Sequence, residues 1–119
     1  MDKIQTNNRI YDLEDRTYEF AKDVKLLIKK IPRNISNIEY GKQLIRSSGS
    51  VAANYIEANE SLSKKDFIMR IKICRKEAKE SRLWLRLIDV SYTEEQVRQK
   101  MIKEATELMK IFGSMVIKQ

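Results

Sequence analysis

The chain contains no histidine and only one cysteine, Cys74. Histidine is the usual acid–base group near neutral pH and the commonest metal ligand, so its absence removes much catalytic and metal chemistry. One thiol permits no internal disulfide and no Cys/His zinc site within a chain, and it fits a reducing cytosol. A di-iron centre of the ferritin type needs Glu-x-x-His pairs and is excluded too. Three glycines and one proline in 119 residues leave little material for turns, so the elements should be few and long. Neither a phosphate-cradling glycine loop nor a G-x-S-x-G elbow occurs. Apolar runs reach only two or three residues, far short of a membrane span. Met1-Asp2-Lys3 leads into polar residues rather than an apolar signal region, so the expectation is a cytoplasmic protein that is not exported.

What is present describes a globular protein. Hydrophobic residues make up 42% and charged residues 34%, enough for one domain with a real core over residues 1–119 and not for two. Carboxylate-only chemistry at Glu77 and Glu80 is the one catalytic option left. Both sit among cations and read first as ion-pair partners. The expectation is therefore a protein with no enzymatic activity, no cofactor and no metal.

Four amphipathic patterns follow one another. Leu13, Thr17, Phe20, Val24, Leu27, Ile28 and Ile31 recur at three- and four-residue steps, predicting a helix over about 12–30 that Pro32 closes. Ser36-Asn37-Ile38-Glu39 has the spacing of a capping box and opens a second helix over about 37–58. Ser63-Lys64-Lys65-Asp66 starts a third, about 64–88, with core positions Phe67, Ile71, Cys74, Ala78, Ser81, Leu85 and Ile88. That alternation of four and three is a 3.5-residue repeat, the mark of near-parallel helix packing. Cys74 lies within it and reads as a small core residue rather than a reactive thiol. Thr93-Glu94-Glu95-Gln96 caps a fourth helix over about 94–117, with Val97, Met101, Ala105, Leu108, Phe112 and Met115 along one side. Four such helices with short links predict an all-α, antiparallel up-down-up-down four-helix bundle.

The second helix is unusual on both faces. Gly41, Leu44, Ile45, Ser48, Val51, Ala52 and Tyr55 form its expected inward side. The opposite side aligns Gln43, Arg46, Ser47, Ser50, Asn54 and Glu57, a polar but nearly uncharged stripe. It suits hydrogen bonding to another subunit or a ligand; a merely tolerant surface would look the same. On the third helix, Met69, Ile73, Trp84 and Leu87 form an apolar strip beside the main core, either a subunit interface or a widening of the core.

The third helix also carries most of the charge. Between Lys64 and Arg86 stand nine basic residues against three acidic ones, a net of +6 in a chain of +7. Lys64, Lys65, Lys72, Arg75, Lys76, Lys79, Arg82 and Arg86 fall within an arc of about 120° on a helix, and Asp66, Glu77 and Glu80 lie outside it. A solvated helix commonly mixes signs, since like charges repel and opposite i,i+4 pairs help. A stripe of eight cations suits a polyanion such as nucleic acid; a solvated face of a basic protein remains the alternative. Few exposed aromatics interleave the cations, which argues against base-stacking recognition. No acidic patch elsewhere stands out to pair with the stripe.

Gln43-Leu44-Ile45-Arg46-Ser47, Ser50-Val51-Ala52-Ala53-Asn54-Tyr55 and Glu57-Ala58-Asn59-Glu60 resemble the bacterial four helix bundle protein family, also called the 23S rRNA-intervening sequence protein family. The resemblance continues through Ser63-Lys64-Lys65-Asp66-Phe67-Ile68, Lys76-Glu77-Ala78, Glu80-Ser81-Arg82 and Trp84-Leu85. Many members have Thr where this chain has Ser81. The resemblance implies a small antiparallel bundle assembling into a ring, with a homopentamer as the expected size. Some members are encoded within insertions in ribosomal RNA genes, which implies contact with RNA. The accessory variability determinant of diversity-generating retroelements, which works with a reverse transcriptase and nucleic acid, is similar in fold and basicity. Family-wide, the resemblance brings no catalytic residues.

Residues and resemblance together lead to a non-enzymatic, oligomeric binding protein that meets RNA or single-stranded nucleic acid through the third-helix stripe. Gln43, Arg46, Ser47, Ser50, Asn54, Glu57, Ile73 and Trp84 are its expected subunit interface, and no membrane is involved. The rival reading is an assembly or adaptor protein whose cations hold an acidic protein partner such as a polymerase or reverse transcriptase.

Overall fold

The computed structural model describes residues 12–118. They form four α-helices, α1 (Leu13–Ile28), α2 (Ile35–Asn59), α3 (Lys64–Leu87) and α4 (Glu95–Lys118), with one 3-10 turn at Tyr92–Glu94. The lead-in at Met1-Asp2-Lys3 lies outside the described residues. A helix of 24 residues such as α3 is roughly 36 Å long. The short links cannot carry the chain back over that length, so packed neighbours must run antiparallel. The side-chain register agrees. Asn37 meets Asp89, Ser47 meets Ser81 and Asn54 meets Arg70, numbers rising along α2 while falling along α3. Arg98 bonding to Ile88 and Arg82 to Thr106 give α3 and α4 the same relation. The fold is an all-α four-helix bundle, as the periodicity predicts.

Three of the four apolar stripes line the core in their expected phase. Leu13, Thr17, Phe20, Val24 and Leu27 of α1 are buried, and the Thr17 hydroxyl is satisfied by donating to the Leu13 carbonyl at 2.7 Å. Ile71, Cys74, Ala78, Ser81, Leu85 and Ile88 are buried from α3 and its cap, with Phe67 half-buried. Met101, Ala105, Leu108 and Phe112 do the same from α4. Val97, expected in that stripe, is 40% exposed in the first turn, where α4 has not yet reached the core.

The phase of α2 needs correcting. Gly41, Leu44, Ser48 and Val51 point inward, but Ile45 is 48% exposed and Ala52 and Tyr55 are half-buried. Ser47, expected on the outer polar stripe, is fully buried. The physical reason is that α2 lies between α1 and α3 and packs most extensively on α3. Its buried arc is therefore turned toward α3, bringing the Ser47 side in and leaving the Ile45 side out.

Helix starts also move. Asn34, not Ser36, caps α2: its side chain accepts from the Asn37 amide at 2.8 Å. Ser36 is already helical, and its hydroxyl bonds to the Asn34 side-chain oxygen at 3.0 Å. Thr93 falls in the 3-10 turn, with its hydroxyl 3.1 Å from that of Ser91, and α4 begins two residues later. At the start of α3 the expected cap holds, with the Ser63 hydroxyl accepting from the Asp66 amide at 3.1 Å. Before Pro32, α1 stops at Ile28, and Lys29 is its C-cap.

Candidate nucleic-acid interface

The cations of α3 lie on the side turned away from the core because Ile71, Cys74, Ala78 and Leu85 fix the opposite side inside it. Lys64, Lys65, Lys72, Arg75, Lys76, Lys79 and Arg86 are exposed, and Arg82 is half-buried. Arg82 is drawn to α4, where it donates to the Thr106 hydroxyl at 3.1 Å. The stem of Arg75 lies against α4 at Gly113, where an added Cβ would come within 3.7 Å of it. Among the stripe residues, an ion pair within the described chain forms only at Lys76, whose Nζ is 3.9 Å from Glu77. In the first turns of the stripe, Ile68 and Met69 lie among Lys64, Lys65 and Lys72 on the surface of α3, and Met69 is exposed.

The acids of α3 are occupied elsewhere. Arg46 of α2 reaches across to Glu77 and Glu80, each at 3.3 Å, and Glu77 is buried beneath it. Their expected role as ion-pair partners is therefore what the geometry displays. Arg70, the one α3 cation between Lys64 and Arg86 outside the stripe, turns to α2 and donates to the Asn54 side-chain oxygen at 2.9 Å. Asn54 is held in turn by bonds from its amide to the Ser50 carbonyl and hydroxyl at 3.0 and 2.9 Å.

Much of the expected subunit interface is thus spent inside the chain. Ser47 is withdrawn from it: its hydroxyl is 2.7 Å from that of Ser81 within the α2–α3 seam, where no second subunit can reach it. Arg46 and Asn54 serve α3, and Trp84 stacks on Tyr40 with ring centroids 5.6 Å apart. The Trp84 indole N–H is buried without a partner among the described residues. Gln43 and Glu57 remain exposed, while Ser50 and Ile73 are half-buried. Cys74 is buried, its Sγ 3.6 Å from the Val51 carbonyl, and burial pushes the thiol up to about 12. A thiol so far from ionising is not a nucleophile at neutral pH.

Acids gather where α1 begins, with Asp12 as its cap and Glu14 and Asp15 in its first turn. Glu14 accepts from the Asn59 side-chain amide at 3.0 Å, tying the start of α1 to the end of α2. Asp12 bonds to and repels Asp15, whose carboxyl is held above the usual range. The nearby Arg16 does not neutralise them, because its guanidinium forks onto Glu104 of α4 at 2.7 and 2.9 Å. Among the described residues no cluster of three or more His, Cys, Asp or Glu could hold a metal ion. No described helix is long and apolar enough to cross a membrane.

No curated protein matches the chain. Among solved structures, it is similar to a protein of unknown function from the S23 ribosomal protein family of Bacteroides thetaiotaomicron. The two are 31% identical with a TM-score of 0.72, over 87% of this chain and 96% of that one. Residues 10–114 match the family model described as 23S rRNA-intervening sequence protein, and the chain belongs to that family.

Proposed function

We propose that this is a non-enzymatic, oligomeric binding protein that holds RNA or single-stranded nucleic acid on the exposed face of α3. The observation that carries the reading is the stripe itself. Seven of its eight cations face solvent, and only Lys76 has a carboxylate within ion-pairing distance in the described chain. Lys72, Lys76 and Lys79 meet phosphates as point charges, while Arg75 and Arg86 can fork onto phosphate oxygens. Contacts of this kind fix position along a backbone without reading bases. Gln43, Ser50, Glu57 and Ile73 are the parts of the expected subunit interface still available to a neighbour. A ring of copies, five by the family resemblance, repeats the stripe and adds avidity for a long strand.

The test is binding of single-stranded RNA as salt is raised. The log–log slope should be roughly −0.7 per phosphate neutralised. Charge reversal at Lys72, Lys76 and Lys79 should abolish most binding with helix content and mass intact. Reversal at Lys100 and Lys103, beside Glu104 and Glu107, should matter much less. Equal losses from both would leave only general basicity. A wild-type protein that binds no RNA at low salt would shift the stripe to an acidic protein partner.

A further inference from the structure

Where α1 and α2 come together beside their link, the described chain leaves an open cleft of about 540 Å³. Ile28 and Ile31 line it from the α1 side, and Ile38 and Ile45 from α2. Gly41 lies at its floor, where an added Cβ would stand 3.4 Å from the end of Ile28. Ile38 is 39% exposed and Ile45 48%, so the turn of α2 toward α3 leaves large apolar groups uncovered here. Asn37 fixes the shape of the cleft by donating to the Pro32 carbonyl at 2.8 Å, which ties the link to the start of α2. A cleft held in place this way needs little reordering when a partner enters. Lys29, Arg33 and Lys42 complete the lining. Lys29 follows Ile28 on α1 and Lys42 follows Gly41 on α2, so cations flank the apolar floor from both helices, with Arg33 in the link. From Val24 to Lys42 the chain carries five basic residues against one acid, Glu39. Glu39 lies 4.0 Å from Lys42 with both side chains exposed, a contact worth little. Among the described residues, Lys29 and Arg33 have no carboxylate within ion-pairing distance.

We propose that this cleft receives an amphipathic helix of another protein, one with acids on both flanks of its apolar face. Ile38 and Ile45 lie two turns apart on α2, about 10 Å, which matches the span of anchors at i, i+3 or i+4, and i+7 on a docked helix. An open trough between two helices suits such a rod. The charges choose among occupants. Cations on both helices and in the link call for several acids along an apolar strip, whereas an anion with a single head group answers only one of them. A second copy presenting the same cleft would set like charges against each other. The docking uses no residue of the α3 stripe, so it stands or falls separately from nucleic-acid binding.

The experiment is fluorescence anisotropy with labelled synthetic helical peptides of equal length. One carries leucines at i, i+3, i+4 and i+7 flanked by glutamates; a second has lysines for the glutamates, and a third is the first with its order scrambled. The glutamate peptide should bind wild type, more weakly as salt rises, and the other two should not. Lys29→Glu/Lys42→Glu turns weak attraction into repulsion on both flanks and should weaken that binding about tenfold. The same variant should gain affinity for the lysine peptide, a reversal that a misfolded protein would not show. Ile45→Ser should weaken binding with circular dichroism unchanged. Lys72→Glu/Lys79→Glu, with the same change in net charge on α3, should bind like wild type. The docking is wrong if wild type fails to prefer the glutamate peptide over the scrambled one, or if the α3 variant loses as much as the cleft variant. A fall in the native mass of Lys29→Glu/Lys42→Glu would overturn it too, by making the cleft a contact between copies. Binding of dodecanoate but of no peptide would give the cleft to a small amphiphile and overturn it as well.

Discussion

The side-chain oxygen of Asn37 accepts from the Asp89 amide at 2.8 Å, while its side-chain nitrogen donates to the Asp89 carbonyl at 2.9 Å. One side chain thereby completes both backbone groups of a residue 52 positions away and ties the start of α2 to the chain leaving α3. The same nitrogen also donates to the Pro32 carbonyl at 2.8 Å, so the α1–α2 link is held by the same atom. Asn37 is buried, which makes these bonds hard for water to replace.

Replacing Asn37 by Ala should therefore cost about 1–3 kcal/mol, the usual penalty for leaving buried polar groups unpaired. Asn37→Asp should be no better at neutral pH, since a carboxylate can accept from the Asp89 amide but faces the two carbonyls without a proton. Ser36→Ala should be nearly silent, because Asn34 makes the cap. Urea denaturation of the three variants measures this; a large loss from Ser36→Ala would return the cap to Ser36.

The Ser47–Ser81 contact predicts an asymmetry. The Ser47 hydroxyl lies 2.7 Å from that of Ser81 and 3.3 Å from the Leu44 carbonyl, so it keeps a partner when Ser81 is removed. Ser81 has no such second bond within the described residues. Ser47→Ala should then cost more than Ser81→Ala, by about 1 kcal/mol, and the double variant should recover part of the loss. Equal single losses that simply add would mean the two hydroxyls are not coupled.

How far the sequence could be read depended on how many neighbours each helix has. In α1, α3 and α4 a single apolar stripe faces the core, and the residues at three- and four-residue steps from Leu13, Ile71 and Met101 are the ones buried. α2 packs on α1 and on α3, and its seam with α3 is built from Ser47, Asn54 and Arg46 rather than from large apolar groups. Hydropathy then points the wrong way: it sends Ser47 out and Ile45 in, although small hydroxyls suit a close helix approach. The α2 cap was ambiguous for a similar reason. Asn34 and Ser36 are both good caps two residues apart, and only the path of the chain after Pro32 selects between them. The basic stripe was legible because it lies on one helix.

The core seam gives a sharper test of the helix phase. Leu85 is fully buried on α3, while Lys79 stands exposed on the opposite arc. Leu85→Ala should lose about 2–5 kcal/mol through lost burial and the cavity left behind. Lys79→Ala should barely move the melting midpoint. Comparable losses would mean that α3 is rotated from the position described.

Acid should act on the first turn of α4. Glu95 accepts from the Gln99 amide at 2.7 Å and from Arg98, and these bonds hold its carboxyl below the usual range, the Gln99 bond most strongly. Arg98 also donates to the carbonyl of Ile88, the residue that caps α3, so Glu95 orients the group linking the two helices. A carboxyl with a lowered folded pKa contributes stability above its unfolded pKa, and loses it as pH falls through the folded one. Glu95→Gln should therefore lower the melting midpoint slightly at neutral pH, with the gap to wild type closing as pH drops below the carboxylate range. The effect should be small, since the pair lies near the surface and is screened by solvent. Melting curves from neutral to acid pH decide the matter: a gap that stays constant with pH would mean that the Glu95 charge has no part in holding Arg98.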